Sequence, residues 1–535
     1  MGKFTRFVLI LIAVLAVFPV YTRYKVIAAP IAPGVTLGGL ALDTLKDRDE
    51  IARHLEGVYA APVTLYFGDQ RLVLEPAAVD FAVDVDQMLN EASAFLEGPD
   101  FLDIAVRAAL GMDQRTRNVP VRFVMNSDKL QAWLEEAAAL HNSEPQGQRL
   151  LPPAARRQEA GAADADAPAA FVGETRRGWY WTDGAPGYTL DVAASLPLVI
   201  DALTSHTERS AVLTMDVAPA PRPAMADLAA ALDSYSSSFP GFAAAYVHEF
   251  DQATSAAMDA DVAFSGMSTL KIAIVTAAME KLGGMEADDP TATEVGQWID
   301  LALGESNNYA ANLVLSWLGD GNSAAGAQRV TQVMRALGLE STYMQSGYDF
   351  ATQLPQIPTP GNQQEEWDTN PDSNLQSTPR EMGELLAAIY DCTQDQGLLR
   401  TTFPATITPD ECEYILFYMS HDEFKELLWS GLPRPEDAWI VHKHGFAFES
   451  HSDAALIWGP DGPYVVSVFL YRPGWMDWET SNGAMRDISR ITWNFFERRR
   501  TFDEAAGAED GGEAEPPVLS PPPVYVPVGA YAPAG

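Results

Sequence analysis

A serine and a lysine stand three residues apart at the head of an apolar stretch, in the sequence FSGMSTLKIAIV from residue 264 to 275. Residues i and i+3 of a helix share one face, so Ser268 and Lys271 can meet there. Burial lowers the pKa of a lysine, and a neutral lysine can take the proton of a serine hydroxyl. Serine is also a common helix N-cap and S-x-x-K arises by chance, so an ordinary helix start is the better explanation of this motif taken alone.

Two further motifs follow Ser268 along the chain. Residues 306–308, Ser-Asn-Asn, precede a predicted helix in GESNNYAANLVL, and residues 443–445, Lys-His-Gly, lie on a predicted strand in VHKHGFAF. Lysine is scarce in this chain, which has eight, and two of these lysines fall in S-x-x-K and K-x-G, in that order along the sequence.

In this order, the motifs resemble the S-x-x-K, S-D-N and K-T-G motifs of the class A β-lactamase and penicillin-binding-protein superfamily. The segments SNNYAANLVLSWLG, ALGLEST and STPREMGELLAAIY are similar to further parts of that family. The resemblance covers residues 222–500. It implies an antiparallel sheet flanked by helices, a site between the sheet and a helical subdomain, and a β-lactam or peptidoglycan-derived substrate. It implies no cofactor and no metal.

The resemblance also implies catalytic roles for four matching residues, the fourth of which, Lys443, is also expected to bind the substrate. Ser268 is the expected acylated nucleophile, and Lys271 is its expected base or proton relay. Ser306 is expected to pass a proton to the leaving nitrogen. Because no residue type is missing for this part of the reaction, acylation is expected to proceed.

Substrate binding is expected to involve Lys443 and four further residues. Asn308 should hold the amide side chain of the substrate, and Lys443 should attract its carboxylate and tune the proton network. The oxyanion hole is expected at the backbone N–H groups of the nucleophile and of Phe446, just past Gly445. His444 stands where the family has threonine, so an imidazole that can carry a proton is expected to face the substrate carboxylate.

Two more departures from the family pattern bear on function. Asn307 replaces an aspartate, which removes a structural carboxylate. The E-x-x-L-N segment, whose glutamate activates the deacylating water in class A enzymes, has no counterpart before STPREM. The acids of the segment GNQQEEWDTNPDSNLQ fit a solvated loop better than a positioned base: Glu365, Glu366, Asp368 and Asp372. Slow deacylation is therefore expected.

Strand-like and helix-like periodicities alternate along the rest of the chain and predict an α+β protein. Residues 30–219 are predicted to form two α+β repeats. The segment YTLDVAASLPLVIDAL is similar to FAVDVDQMLNEA, and SAVLTMDVAPAPRPAMADLAAAL is similar to the strand and helix that come after FAVDVDQMLNEA. They resemble the peptidoglycan-binding domain found beside VanW-like proteins. A flexible linker is predicted near residues 143–170 and a disordered acidic, Pro-rich tail at 501–535. Trp179 and Trp181, near the linker, fit either sugar stacking or core packing.

The N-terminus, residues 1–29, predicts an export segment. Basic residues precede an apolar run from Phe7 to Tyr21, and Arg23 and Lys25 follow it. The cleavage region of a signal peptide is normally small and uncharged, so a single-pass membrane anchor is favoured over a cleaved signal. The bulk of the chain is then expected outside the cytoplasm. In that oxidising setting Cys392 and Cys412 are predicted to pair, although two separate buried thiols also fit.

Overall composition excludes one class of partner. The formal net charge is −38, so phosphate backbones are repelled and nucleic-acid binding is not expected. The eight histidines show no metal-ligand spacing. Three functions stay open: a β-lactamase-like hydrolase, a D,D-peptidase-like enzyme on peptidoglycan stem peptides, and a weakly catalytic wall-binding sensor. A carboxylate held near Ser268 favours the first, whereas a large Ser268–Lys271 separation favours the last.

Overall fold

The computed structural model describes residue 26 and residues 30–505, apart from residues 43, 46, 98, 111, 153–177, 284, 286–289, 365, 423 and 434–438. The chain divides into two compact units. The N-terminal unit contains residues up to Gln146 and then Ala185–Pro221, and the C-terminal unit contains Gly147–Gly184 and the residues from Arg222 onward.

The N-terminal unit is built from short strands and five helices in its described part. Its strands are Val35–Leu37, Leu40–Ala41, Val63–Phe67, Gln70–Leu74, Ala82–Val83, Arg117–Val119, Phe123–Val124, Gly187–Leu190, Ser210–Val212 and Met215–Ala218. Its helices are Arg48–Tyr59, Val85–Glu97, Asp100–Leu110, Ser127–His141 and Val192–Thr204. The two similar sequence segments, FAVDVDQMLNEA and YTLDVAASLPLVIDAL, both pass from a strand into a helix.

An aspartate begins the helix in each of these two segments. The Asp84 carboxylate accepts the N–H of Gln87 at 2.9 Å, and the Asp191 carboxylate accepts the N–H of Ala194 at 2.9 Å. Both contacts satisfy a free backbone donor at a helix N-terminus. The helix Met225–Ser236, expected to complete the second repeat, instead belongs to the C-terminal unit. The resemblance to VanW-associated domains stays a prediction.

Part of the predicted linker is ordered within the C-terminal unit. The strands Leu150–Leu151 and Tyr180–Trp181 pair antiparallel, while residues 153–177 lie outside the described part of the chain. Trp181 is buried, and its indole Nε1 donates to the carbonyl of Ile491 at 3.2 Å. Core packing, rather than sugar stacking, therefore accounts for this tryptophan.

A five-stranded antiparallel sheet forms the centre of the C-terminal unit. Its strands lie in the order Ser255–Met258, Phe242–Glu249, Gly462–Tyr471, Ser450–Gly459 and Trp439–Phe446. A smaller sheet has the order Phe264–Ser265, Leu375–Ser377 and Tyr343–Met344. The helices of this unit are Met225–Ser236, Lys271–Leu282, Pro290–Gly304, Asn308–Leu318, Ser323–Ala336, Pro379–Thr393, Gly397–Thr402, Pro409–Met419 and Trp478–Ala505.

Helices cover both faces of the large sheet. Successive side chains of a strand point to opposite faces. Accordingly, Ala454 and Leu456 join the core that contains the helix Lys271–Leu282, while Ala455 and Ile457 join the core that contains Trp478–Ala505. The predicted antiparallel sheet flanked by helices is thus confirmed for this unit.

The last helix of the C-terminal unit extends beyond residue 500. The last helix continues to Ala505, where Asp503 forms an ion pair with Arg222 at 2.6 Å, so the prediction of disorder from residue 501 is wrong for residues 501–505. The rest of the tail lies outside the described residues, as does the apolar run of the predicted anchor. None of the helices in the described part of the chain is long and apolar enough to cross a membrane.

Cys392 and Cys412 form a disulfide between the helices Pro379–Thr393 and Pro409–Met419. Both residues are fully buried in the core that also contains the helix Lys271–Leu282. The bond closes a loop across a sequence separation of 20 residues. In the unfolded chain such a closure removes conformational entropy.

Replacing both cysteines with alanine is expected to lower the free energy of unfolding by about 3 kcal/mol, from the loop length that the bond closes. Denaturant unfolding of the oxidised protein and of the double variant measures the difference. Thiol labelling of the unreduced, exported protein is the control. Two reactive cysteines in that sample would show that the bond is not formed.

Candidate active site

A sharp turn places Ser268 between the small sheet and the central helix. The chain leaves the strand Phe264–Ser265 and enters a 3₁₀ turn, Met267–Leu270, that continues into the helix Lys271–Leu282. Met267 has φ of +48°, a left-handed conformation that is unfavourable for residues with a side chain. Such strain persists where the surroundings fix it, and here it sets the direction of the next residue, Ser268.

The helix that follows is buried on all sides. Every residue from Lys271 to Met279 is buried, which is typical of a helix at the centre of a large core. Such a helix cannot shift without disturbing its neighbours. It therefore holds Lys271, at its first position, in a fixed place beneath Ser268.

Lys271 lies at the centre of a polar cluster. Its Nζ is 3.0 Å from Oγ of Ser268, 3.2 Å from Oγ of Ser306, and 2.8 Å from Oδ1 of Asn308. It also donates to the backbone carbonyl of Ser306 at 2.5 Å. The structure thus brings together all three predicted catalytic residues of the first two motifs.

These partners determine where a neutral Lys271 directs its lone pair. The carbonyl of Ser306 and Oδ1 of Asn308 can only accept hydrogen bonds. A neutral amine has two N–H groups, and the two acceptors take both. The lone pair is then left for the hydroxyl of Ser268 or of Ser306, which is the arrangement that a base for either hydroxyl needs.

The surroundings of Lys271 favour its neutral form. Burial, with the nearby positive charge of Lys443, lowers the pKa of Lys271 to about 7, while the charge of Asp422 opposes the shift. The face of the Tyr348 ring lies 5.0 Å from Nζ and covers the amine on one side. A substantial fraction of Lys271 is therefore unprotonated at neutral pH.

Ser306 and its two asparagine neighbours form the entry of the helix Asn308–Leu318. Ser306 has φ of +54°, and Asn307 is the N-cap, whose side chain accepts the N–H of Ala310 at 3.0 Å. Asparagine caps a helix as well as aspartate does. The replacement of the family's aspartate by Asn307 is thus compatible with the loop that presents Ser306 and Asn308 to Lys271.

Gly445 lets the edge strand of the large sheet approach the nucleophile. A Cβ at this position would lie 2.8 Å from Cβ of Met267, 2.8 Å from Oγ of Ser452 and 2.9 Å from the backbone N of Ser268. Any side chain would therefore push the strand Trp439–Phe446 away from Ser268. This close approach is what the predicted oxyanion hole, from the N–H groups of Ser268 and Phe446, requires.

Lys443 and His444 have a partner that the sequence did not predict. Lys443 is fully buried, and its Nζ lies 3.2 Å from Oδ2 of Asp422. Nδ1 of His444 lies 3.1 Å from the same oxygen. Both side chains, which the resemblance assigned to the substrate carboxylate, thus share one carboxylate of the protein itself.

The charges of this group follow from burial and from the shared contact. Burial alone would raise the pKa of Asp422, but the hydrogen bond from His444 and the charges of Lys443 and two histidines lower it to about 2. Burial lowers the pKa of His444, against the effect of Asp422. At neutral pH, Asp422 is therefore ionised and His444 is neutral, whereas the sequence predicted an imidazole, able to carry a proton, that faces the substrate carboxylate.

The acidic loop supplies no described carboxylate to the cluster around Lys271. Asp368 and Asp372 accept the N–H groups of Asn370 at 2.9 Å and Asn374 at 2.7 Å, which are local turn contacts. Glu366 is exposed, and Glu365 lies outside the described residues. The observed contacts and exposure of Glu366, Asp368 and Asp372 are those of residues in a surface loop.

Two residues of the site went unnoticed in the sequence. Tyr348 donates its hydroxyl to the carbonyl of Met267 at 2.9 Å and so supports the strained residue before Ser268. Asp422 follows the helix Pro409–Met419 in the sequence SHDEF. A short acidic stretch after a helix carries no periodic pattern, so only the fold brings Asp422 to Lys443.

Comparison with known proteins found matches to the C-terminal part of the chain. Residues 280–496 match the model of the beta-lactamase enzyme family. No curated protein sequence matches the chain. The matched residues begin after Lys271, so the contact between Ser268 and Lys271 is a separate observation from the structure.

Solved structures similar to the chain include two β-lactamases and a penicillin-binding protein. The β-lactamase from Desulfarculus baarsii is 18% identical, with a TM-score of 0.39 over 51% of this chain and 98% of that one. The β-lactamase from Xanthomonas campestris pv. campestris is 17% identical, with a TM-score of 0.39 over 51% and 99%. A mutant of PBP-A, solved as an acyl-enzyme complex with penicillin G, is 21% identical, with a TM-score of 0.40 over 52% and 99%.

The C-terminal unit has a β-lactamase-like fold, a serine hydrolase fold that is shared with transpeptidases. Residues 280–496 are the part of the chain that is similar to the beta-lactamase enzyme family.

Proposed function

We propose that the C-terminal unit is a serine hydrolase that forms an acyl-enzyme on Ser268 with β-lactams or related amides. The observation that supports this most strongly is the 3.0 Å contact between Ser268 and Lys271, whose pKa is lowered to about 7. Covalent catalysis requires a nucleophile within hydrogen-bond reach of a base, and a substantial fraction of this base is neutral at neutral pH.

The reaction follows from the positions of the side chains. Neutral Lys271 takes the proton of Ser268 as Oγ attacks the substrate carbonyl carbon. The resulting oxyanion is stabilised by the N–H groups of Ser268 and Phe446. The C–N bond then breaks, and the nitrogen takes a proton that Lys271 delivers through the hydroxyl of Ser306, 3.2 Å away. Lys271 is neutral again, and the acyl group stays on Ser268 until water releases it.

A second candidate, a D,D-peptidase-like enzyme that acts on peptidoglycan stem peptides, uses the same acyl-enzyme. The partners of Lys271 favour it: in the described part of the chain its hydrogen bonds go to two hydroxyls, a backbone carbonyl and an amide. None of these groups can act as a carboxylate base for the deacylating water. The sensor hypothesis needs Lys271 far from Ser268 or a blocked cleft, and the first condition is not met.

We place this activity at the cell envelope, outside the cytoplasm. The apolar run from residue 7 to 21 and its basic flanks support export, and the Cys392–Cys412 disulfide suits an oxidising compartment. Peptidoglycan-derived peptides and β-lactams are both found there. A membrane anchor at residues 1–29 stays a prediction.

Labelling with a fluorescent penicillin tests the proposal. The wild-type protein is expected to carry the label after denaturation, because the bond to Ser268 is covalent. Ser268→Ala should abolish labelling, whereas Ser265→Ala, three residues earlier on the adjoining strand, should retain it. Labelling that persists in Ser268→Ala would assign the reaction to another residue and overturn the proposal.

A further inference from the structure

Asp422, Lys443 and His444, here called the anchor cluster, lie where a substrate carboxylate is expected to bind. Asp422 and Lys443 are buried, and the Asp422 carboxylate contacts both of the other members through one oxygen. A backbone hydrogen bond also fixes the Asp422 side chain, because its Oδ1 accepts the N–H of Phe424 at 3.0 Å. The carboxylate is thus a fixed part of the cluster.

The anchor cluster carries no net positive charge at neutral pH. Asp422 is ionised and His444 is neutral, while burial lowers the pKa of Lys443 against the opposing charge of Asp422, so Lys443 contributes at most one positive charge. A carboxylate that approached Lys443 would also approach Asp422 and be repelled by it. Because attraction and repulsion act over similar distances, they largely cancel.

The tautomer of His444 gives a second reason why the anchor cluster should bind a carboxylate weakly. The Asp422 carboxylate can only accept, so neutral His444 must donate from Nδ1. Its other ring nitrogen, Nε2, is then unprotonated and can only accept a hydrogen bond. An acceptor offers no hydrogen bond to a carboxylate, whereas the hydroxyl of the threonine in the family pattern can donate one.

Aromatic rings pack around His444 near the exposed end of the strand Trp439–Phe446. The ring of Phe424 lies 4.3 Å from that of His444, and the ring of Phe446 lies 5.1 Å from it. The Trp478 ring lies 5.1 Å from the Phe446 ring. Phe446 is 41% exposed and Trp478 is 37% exposed, so apolar surface stays accessible next to the anchor cluster.

We propose that the substrate presents an uncharged, apolar group to this end of the cleft, and that Asp422 sets this preference by neutralising Lys443. The proposal rests on the proposed acylation of Ser268 and names the substrate class for that site. Asp422 acts through Lys443 and His444 and is a specificity-determining residue rather than a catalytic one. Phe446 and Trp478 provide the apolar contact surface.

Benzylpenicillin and its methyl ester form a matched pair for the test, because they differ in one carboxylate charge. The second-order rate of Ser268 acylation is measured for each. In the wild type, the acid is expected to exceed the ester by less than about tenfold, since a compensated charge contributes little. A larger preference of the wild type for the acid would overturn the proposal, and this result needs no variant.

Asp422→Asn is expected to raise the preference for the acid by roughly thirtyfold or more, since removal of one member of a buried charge pair has effects of this size. The substrate carboxylate then takes the place of Asp422 beside Lys443 and favours its protonated form. Asp422→Glu keeps the charge and should keep the wild-type ratio. An unchanged ratio in a folded Asp422→Asn protein would contradict the role of Asp422.

Failure of the proposed function gives a different result. If neither compound labels the wild-type protein, or if label persists in Ser268→Ala, the acyl-enzyme itself is disproved. The ratio of acid to ester, by contrast, is defined only when Ser268 is acylated. The two proposals therefore fail separately.

Discussion

Replacing Lys271 with alanine is expected to slow acylation of Ser268 by roughly 10²–10⁴-fold, the usual contribution of a positioned general base. The amine contacts the nucleophile at 3.0 Å and the proton relay Ser306 at 3.2 Å, so its loss affects both proton transfers. Stopped-flow or gel-based labelling with a penicillin measures the rate. An unchanged rate in a folded Lys271→Ala protein would remove Lys271 from the mechanism.

Lys281 provides a matched control on the same helix. Its Nζ contacts the carboxylate of Asp320 at 3.0 Å and the carbonyl of Trp317 at 2.8 Å, away from the site. Lys281→Ala removes a lysine of the same helix and is expected to leave the acylation rate unchanged. A similar loss in both variants would indicate damage to the helix rather than loss of a base.

The pH dependence of acylation follows from the same lysine. The neutral form of Lys271 is the active base, and its pKa is about 7. Protonation below that pH removes the lone pair, so the rate should rise with pH through about 7 and level off above it. The rate of Lys271→Ala should lack this limb.

The acyl group on Ser268 is expected to clear slowly. Deacylation without a positioned base for the water loses roughly 10²–10⁴-fold in rate. The described acids of the loop serve local turns or face solvent, and Asp422 is engaged by Lys443 and His444. The adduct formed with a penicillin should therefore persist long after free drug is removed by gel filtration.

Rapid turnover without a trapped adduct would contradict this expectation. It would show that a carboxylate does activate the water. Single substitutions to glutamine or asparagine would then identify it, and the candidates are Glu365, Glu366, Asp368, Asp372 and Asp422. The variant that converts turnover into a stable adduct marks the base.

The sequence was sufficient for the parts of the site that depend on local structure. Residues three apart on a helical turn share a face, so the proximity of Ser268 and Lys271 was predictable from their spacing, whereas their catalytic role was indicated only together with the two later motifs. The helix predicted to follow residues 306–308 is found at Asn308–Leu318, because apolar periodicity and an N-cap mark its start. The edge strand with Lys443 and Gly445 was predictable from its apolar residues and the following hairpin.

Contacts between distant segments could not be predicted in the same way. Asp422 lies 21 residues before Lys443 in a loop without periodicity, and its effect on the charge of the site appears only when the loop meets the strand. The strand Leu150–Leu151, inside the predicted linker, pairs with Tyr180–Trp181, and Trp181 contacts Ile491 across 310 residues of sequence. The role of Asp422 and the order of this linker segment both depend on tertiary contacts rather than on local patterns.

Intact-mass spectrometry after mixing with benzylpenicillin tests the formation of an acyl-enzyme on Ser268 most directly. The wild-type protein is expected to gain the full mass of the drug, because the ring opens without loss of atoms, and the adduct should map to the peptide that contains Ser268. Ser268→Ala should gain nothing. An unmodified wild-type protein, with the drug also unhydrolysed, would contradict the acyl-enzyme and with it the assignment of Ser268 and Lys271 as nucleophile and base.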